Sequence, residues 1–465
     1  MKVLTIGLDC AAPELIFQEF IDELPNFRKL MSEGIYGRLK SCIPAITIPA
    51  WLVMMTSKSP GELGLYGFRH RKGYSYRDMW IANSLVIKQE ALWDILGKEG
   101  RKVCLVGVPP SYPPFAVNGN LISCFITPGA DREYTYPAGL KEEIEGVVGE
   151  YIFDVEFRVE EREELLKQIY EMTEQRFKVI RYLLQNKEWD FFMWVEIGVD
   201  RIHHAFWKFF DKGHHLYQPG NRFEGAIRDY YRYIDEGVGQ ILSLIDSDTA
   251  VLVVSDHGAK GMKGAFCINE WLVKEGYLSL RARPQEKVSL EKAEVDWAKT
   301  KAWGWGGYYA RIFLNVEGRE QQGMIKPQNY KTEREEISRR LKQVKGPGGE
   351  SWKTRVFKPE EIYSEKRGNP PDLMVYFDDL CWRAAGTIGH GTCYLPENDT
   401  GPDDAVHAED GIFILYNPRG KQGREFNASI FDIAPSILHL MGLDIPRDME
   451  GRSILSRLEQ GESNA

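Results

Sequence analysis

Several absences narrow the reading of this chain. No C-x-x-C pair occurs. Its seven cysteines (Cys10, Cys42, Cys104, Cys124, Cys267, Cys381 and Cys393) are scattered and odd in number, so they suggest neither a zinc ribbon nor a disulfide framework. They read as small buried hydrophobes in a reducing compartment. No apolar run approaches the ~18–20 residues of a spanning helix. The start, MKVLTIGLD, has one Lys, a short apolar run and then Asp9, without the longer apolar stretch and cleavage site of a secretory signal. A cytoplasmic protein is the expectation. There is no basic excess either: 59 Lys and Arg stand against 68 Asp and Glu, a net charge of −9. That argues against a nucleic-acid partner, which would need a basic footprint, and leaves room for a small phosphorylated substrate held by cations. Internal repeats and long flexible linkers are also missing.

What is present is 465 residues of ordinary globular composition, 43% hydrophobic and 27% charged. Strand-like and helix-like runs alternate near both ends. KVLTIGLD is followed by a helical stripe through Leu15, Ile16, Phe20, Ile21 and Leu24. DFFMWVEIGVD and TAVLVVSDHG are near-continuous apolar runs, as in central parallel strands buried on both faces. The stretch 158–187 reads as a charged, solvated helix. From about 281 to 362 the pattern becomes polar and rich in glycine and aromatics, which suggests an inserted cap. PDLMVYF and GIFILYN read as returning strands, and 456–465 as a frayed tail. The expectation is one α/β domain over 1–460.

Three of the apolar runs end in metal-ligand residue types: Asp9, Asp200, and Asp256 with His257. His204 follows Asp200 by four residues, and His407 precedes GIFILYN. Open α/β sheets bind ligands at the carboxyl ends of their strands. Asp and His together suit Zn²⁺ or Mn²⁺, and six such groups suffice for two ions. Thr47 sits in a Pro-bracketed turn at a predicted helix start, where free N–H groups suit a phosphate. Locally it reads as a turn or N-cap residue. Beside a metal-ligand set it becomes a candidate nucleophile.

These motifs together resemble the alkaline phosphatase superfamily, in particular its type I phosphodiesterase/nucleotide pyrophosphatase branch, the related cofactor-independent phosphoglycerate mutases, and a group of predicted phosphohydrolases or phosphomutases. LTIGLD, AITIPAW, TSKSPGELGLYGF, DRIHH, SDHG, AVHAEDGIFI and the tail DIAPSILHLMGLDIPRDMEGRSI carry the likeness. It implies a three-layer α/β/α core around a mostly parallel sheet, with inserted cap segments. It also implies two metal sites, with Zn²⁺ or Mn²⁺ as the ion. One would hold Asp9, Asp256, His257 and the Thr47 hydroxyl, the other Asp200, His204 and His407. Thr47 would form a phospho-threonine intermediate. The resemblance leaves three functions open: a hydrolase of phosphodiesters or phosphomonoesters, a phosphomutase, and a non-catalytic metal-stabilised binding protein.

The sequence departs from the family pattern at three places. Phe68 stands where nucleotide-cleaving relatives carry an Asn, which weakens a nucleotide assignment. His203 stands where Gly is common in D-x-x-G-H, so His203 is the alternative ligand to His204. Thr47-Ile48-Pro49-Ala50-Trp51 has neither the Cys/Ser nor the Arg of a sulfatase. Phe68, Arg69 and Arg71, with Trp303, Trp305 and Arg311, are candidate substrate contacts; a solvated loop and cap packing are their alternative readings.

Overall fold

The computed structural model describes residues 1–420 and 423–462. Its centre is a ten-stranded sheet. Val3–Leu8, buried at every position, lies at its middle. It pairs in parallel with Phe191–Glu196 on one side and Ala250–Val254 on the other. The three apolar runs singled out in the sequence are therefore adjacent strands, and their carboxyl ends lie side by side. Val103–Val106 and Gly119–Ile122 extend the parallel order. Asp410–Tyr416 runs antiparallel between Ala250–Val254 and Ile35–Lys40.

Side-chain alternation along the central strand feeds two cores. Leu4, Ile6 and Leu8 join the cluster under the helices Pro25–Glu33, Arg162–Asn186, Gly198–Phe210 and Ala226–Leu242. Val3 joins the cluster of the opposite face, under Thr47–Thr56, Leu92–Lys98 and Ile433–Leu440. This is the expected three-layer arrangement. The helix expected to be solvated, Arg162–Asn186, in fact buries Leu165, Ile169, Met172, Phe177 and Ile180. Its buried Arg176 pairs with Glu196 at 2.8 Å. Apart from the buried Arg162 and Arg176, the frequent charges of that stretch cover its outer face.

A third hydrophobic cluster surrounds a smaller antiparallel sheet of Ala302–Trp305, Ala310–Leu314, Leu373–Tyr376 and Arg355–Phe357. The run PDLMVYF thus belongs to this sheet and not to the main one. Associated strands start at Ala265–Cys267 and end at Tyr394–Leu395. The inserted unit is accordingly wider than 281–362. It begins just after the SDHG segment and ends just before His407. Its inner edge clamps the turn before Thr47: Tyr376 Oη accepts from the Ala45 amide at 3.1 Å, and Tyr363 donates to the Ile43 carbonyl. At the carboxyl end the chain is ordered further than expected. Ile454–Glu459 is a helix whose Arg457 pairs with Asp432 at 2.7 Å. Residues 463–465 of the expected tail lie outside the described residues. No helix among the described residues is long and apolar enough to cross a membrane.

Candidate active site

Asp9 directly follows the central strand. Its Oδ2 accepts from Trp51 Nε1 at 2.7 Å. Gly7 makes this possible, because a Cβ there would come within 2.7 Å of the Trp51 ring. Asp256 and His257 lie in the bend after Ala250–Val254, and Asp256 Oδ1 accepts from the Cys10 amide at 3.1 Å. His257 Nε2 stands 3.1 Å from Asp256 Oδ2 and 3.9 Å from Asp9 Oδ1. Thr47 is the first residue of the helix Thr47–Thr56, and its Oγ1 lies 3.3 Å from His257 Nε2. In the first turn of that helix Pro49 has no N–H and the Ala50 amide donates to the Ile46 carbonyl at 2.9 Å, which leaves the Thr47 and Ile48 amides as the donors suited to an anion.

The second cluster is built differently. The strand expected to end at Asp200 stops at Glu196, and Asp200 lies in the first turn of the helix Gly198–Phe210. His204, one turn later, shares its face. Its Nε2 stands 3.1 Å from Asp200 Oδ1. His407 arrives on the short strand Ala405–Ala408, which pairs with Gly258–Gly261 so that His407 opposes Ala259. That ribbon brings the late histidine beside SDHG. His407 Nε2 is 3.9 Å from Asp200 Oδ1, and its ring stacks on His257 with centroids 3.8 Å apart. His203 points away from the cluster: its Nε2 meets the Tyr231 hydroxyl at 3.1 Å inside the helical layer. The geometry therefore favours His204 as the ligand.

The donor set fits divalent cations. The potential ligand atoms of Asp9, Asp256 and His257 all lie within 4.8 Å of one another, as do those of Cys10, Asp200, His204 and His407. All seven side chains are buried. Asp9 Oδ1, Asp256 Oδ2 and His204 Nε2 are shielded from solvent and make no hydrogen bond; orphaned buried groups of this kind are rare without a purpose. Burial, and then repulsion from Asp200, drives the Asp9 carboxyl well above its usual range. Burial and Asp9 do the same to Asp256. A bound cation relieves both effects. His257 is pushed down to about 4 by burial, which leaves its imidazole neutral and able to ligate.

Outer residues brace the second cluster in the manner of ligating histidines elsewhere. His204 Nδ1 bonds Asp403 Oδ1 at 2.7 Å, and His407 Nδ1 bonds the Ala45 carbonyl at 2.8 Å. Against the upward push of burial, His204 and Arg383 hold Asp403 down to about 2. Arg383 reaches Asp403 at 2.8 Å and Arg158 reaches it at 3.2 Å. Arg201 contacts Asp200 and makes a two-point pair with Asp154 at 2.7 and 2.6 Å. Tyr308 stacks on His407 with centroids 3.8 Å apart.

A pocket of about 510 Å³ opens over Thr47, Asp200 and His407. Of the expected substrate contacts, Phe68, Arg69, Trp305 and Arg311 line it. Arg71 and Trp303 do not. Arg71 is buried in an ion pair with Glu320 at 3.1 Å, and its guanidinium lies over the Trp303 ring at 4.9 Å. Both belong to the core of the small sheet, where the local sequence resembled the pocket wall. Tyr308 lies in the glycine-rich aromatic run that the sequence offered as a pocket wall, and it lines the pocket. Sequence reasoning passed over Arg158, Arg383 and Asp403. Arg201 was legible beside Asp200; these three come from segments with no motif of their own.

Fold and site together define an α/β protein with two cation-ligand clusters at the carboxyl edge of its sheet, beside a threonine on a helix N-terminus. The chain belongs to the type I phosphodiesterase / nucleotide pyrophosphatase family, whose shared sequence pattern matches residues 3–403; its core has the alkaline phosphatase-like fold expected from the motifs. Among curated proteins, it is similar to the 2,3-bisphosphoglycerate-independent phosphoglycerate mutase of Parabacteroides distasonis, at 30% identity over 66 residues. That match spans 14% of this chain and 13% of the mutase. Among solved structures, human ectonucleotide pyrophosphatase/phosphodiesterase 5 superposes with a TM-score of 0.59 at 12% identity, over 99% of both chains. The murine protein of the same name, in an inactive threonine-to-alanine variant in complex with AMP, gives 0.57 at 13% identity, again over 99% of both. At such identities these likenesses concern the fold.

Proposed function

We propose that this protein is a metal-dependent phosphoric ester hydrolase that works through a covalent phospho-threonine on Thr47. The observation that carries this reading is the placement of the Thr47 hydroxyl, 3.3 Å from His257 and between two buried ligand clusters, on the floor of the pocket. The Asp and His donors suit Zn²⁺ first and Mn²⁺ second. Cations held by the clusters would polarise the phosphoryl oxygens and lower the pKa of the attacking hydroxyl and water.

The chain's own residues do the rest. The Thr47 and Ile48 amides, at the start of the helix Thr47–Thr56, orient the phosphoryl group for in-line attack. Thr47 Oγ1 forms the new bond to phosphorus as the bond to the ester oxygen breaks, and the threonine proton ends on the departing alcohol. Water then cleaves the phospho-threonine, restoring the hydroxyl and releasing the phosphate. Arg201 and Arg158 stand where they can meet charge that develops on the transferring group.

A phosphomutase is the second reading. The 66-residue likeness to a phosphoglycerate mutase favours it, and so does the small sheet clamped over the nucleophile turn, which could keep water from the phospho-enzyme.

Turnover of p-nitrophenyl phosphate, bis-p-nitrophenyl phosphate and p-nitrophenyl phenylphosphonate with Zn²⁺ or Mn²⁺ tests both. Thr47→Ala is expected to lose at least ~10³-fold in kcat. A Thr47→Ala protein as active as its parent, or no metal-promoted turnover of any ester, sinks the nucleophile assignment. Phosphate transferred to an added alcohol in preference to water would favour the mutase.

A further inference from the structure

The pocket holds two kinds of arginine. Arg201 and Arg383, at its inner wall, are neutralised by Asp154, Asp200 and Asp403. Arg69 and Arg311 are not: among the described residues neither takes part in an ion pair. Glu291 lines the same pocket without pairing with either.

The two are nonetheless held together. Arg311 Nη1 donates to the Arg69 backbone carbonyl, and Nη2 reaches the Gly306 carbonyl at 3.4 Å. Arg311 Nε is shut off from solvent without an acceptor. Its guanidinium lies over the Trp305 and Tyr309 rings at 5.2 and 5.9 Å. Burial lowers its pKa, and the Arg69 charge adds to the effect. A desolvated guanidinium with a like-charged neighbour and no counter-charge is unfavourable by itself. A planar fork of donors is suited to a carboxylate or phosphate.

We propose that Arg69 and Arg311 form a second anion subsite, so that the substrate carries, besides the reacting phosphate, a further carboxylate or phosphate group. This rests on the hydrolase reading for the reacting phosphate and adds the substrate class. A carboxylated or doubly phosphorylated small molecule satisfies both ends of the pocket; a simple monoester leaves the outer cations unpaired.

The experiment is calorimetric and needs no turnover. Zn²⁺-loaded Thr47→Ala protein is titrated with ω-carboxyalkyl phosphates two to six carbons long, with ω-phosphonoalkyl phosphates, and with plain alkyl phosphates of equal length. At one or two lengths the second anion is expected to tighten binding about tenfold or more. The carboxylate and phosphonate arms tell which anion is preferred. Arg69→Gln and, separately, Arg311→Gln should each remove most of that gain while the plain alkyl phosphates keep their affinity for the inner site. Because Arg69 is exposed, its variant guards against misfolding of the other. No gain at any length, or a gain that survives both substitutions, overturns the subsite. Failure of the parent protein to turn over any aryl phosphate would instead sink the hydrolase reading and leave the binding result standing.

Discussion

The two ligand clusters sit side by side yet balance charge in different ways. Asp9 and Asp256 share the neutral imidazole of His257 as a neighbour, and among the described residues no guanidinium or ammonium pairs with either. Both carboxyls are pushed up. Asp200, by contrast, has Arg201 against it and His204 one turn away, and these hold it well below its usual range despite burial. His204 is in turn fixed by Asp403, itself gripped by Arg158 and Arg383. The first cluster is a charge excess that a bound cation, or protonation in its place, must settle. The second is neutralised and oriented by protein groups before any ion arrives. The expected order of dependence follows: the Asp9/Asp256/His257 cluster relies on its cation for internal stability, while the Asp200 cluster relies on its outer residues for geometry.

The strongest way to break this contrast is Asp256→Asn. It removes one of two crowded carboxylates, and activity is expected to fall on the order of 10³-fold, the loss of one stabiliser of transition-state charge. Elemental analysis should show one ion fewer per chain, and metal-free variant protein should melt no lower than the metal-free parent. Unchanged stoichiometry removes Asp256 from the ligand set. Asp403→Asn probes the other side. It should weaken metal binding at the second cluster by about 10–100-fold, as outer-residue changes do, and a competition titration with a chelator reads this. If binding is untouched, the bracing role is wrong.

Gly7→Ala is a smaller perturbation aimed at the first cluster. The new Cβ displaces the Trp51 ring that holds Asp9, with an expected loss of about 1–3 kcal/mol by denaturant unfolding. The smallest effect near neutral pH comes from two buried histidines. His70 and His203 are each lowered to about 3 by burial. Their folded pKa lies below the unfolded value of ~6.5, so the unfolded chain binds more protons in the window between the two. Stability is complete above pH ~6.5 and declines as pH falls towards about 3, by up to ~1.4 kcal/mol per unit for each histidine. His203→Gln should flatten that slope without changing metal content; lost metal would return His203 to the ligand set.

Much of this site could be read from local pattern, because strand-end carboxylates and the i, i+4 pair Asp200/His204 follow from strand and helix periodicity. Arg71 and Trp303 show where such reading fails. Arg69 and Arg71 are two residues apart on one short strand, where a period of two puts both on one face, yet Arg69 lines the pocket while Arg71 is buried against Glu320; strand periodicity alone does not separate them. Asp403 had no motif; it matters only because the chain returns from the small sheet beside His204. The extent of the inserted unit was hidden for a similar reason, since its outer strands look like main-sheet strands until their partners are known.

By itself, then, the sequence determined the α/β class, the candidate metal-ligand residues and the threonine at a helix start, all of which depend on short-range periodicity and residue chemistry. Only the tertiary structure decided that the three apolar strands are neighbours, that a ribbon carries His407 to His257, and that Arg69 and Arg311 meet without a counter-charge. Those facts depend on which distant segments pair, and pairing is set by the burial of both sheet faces together rather than by any one stretch of chain.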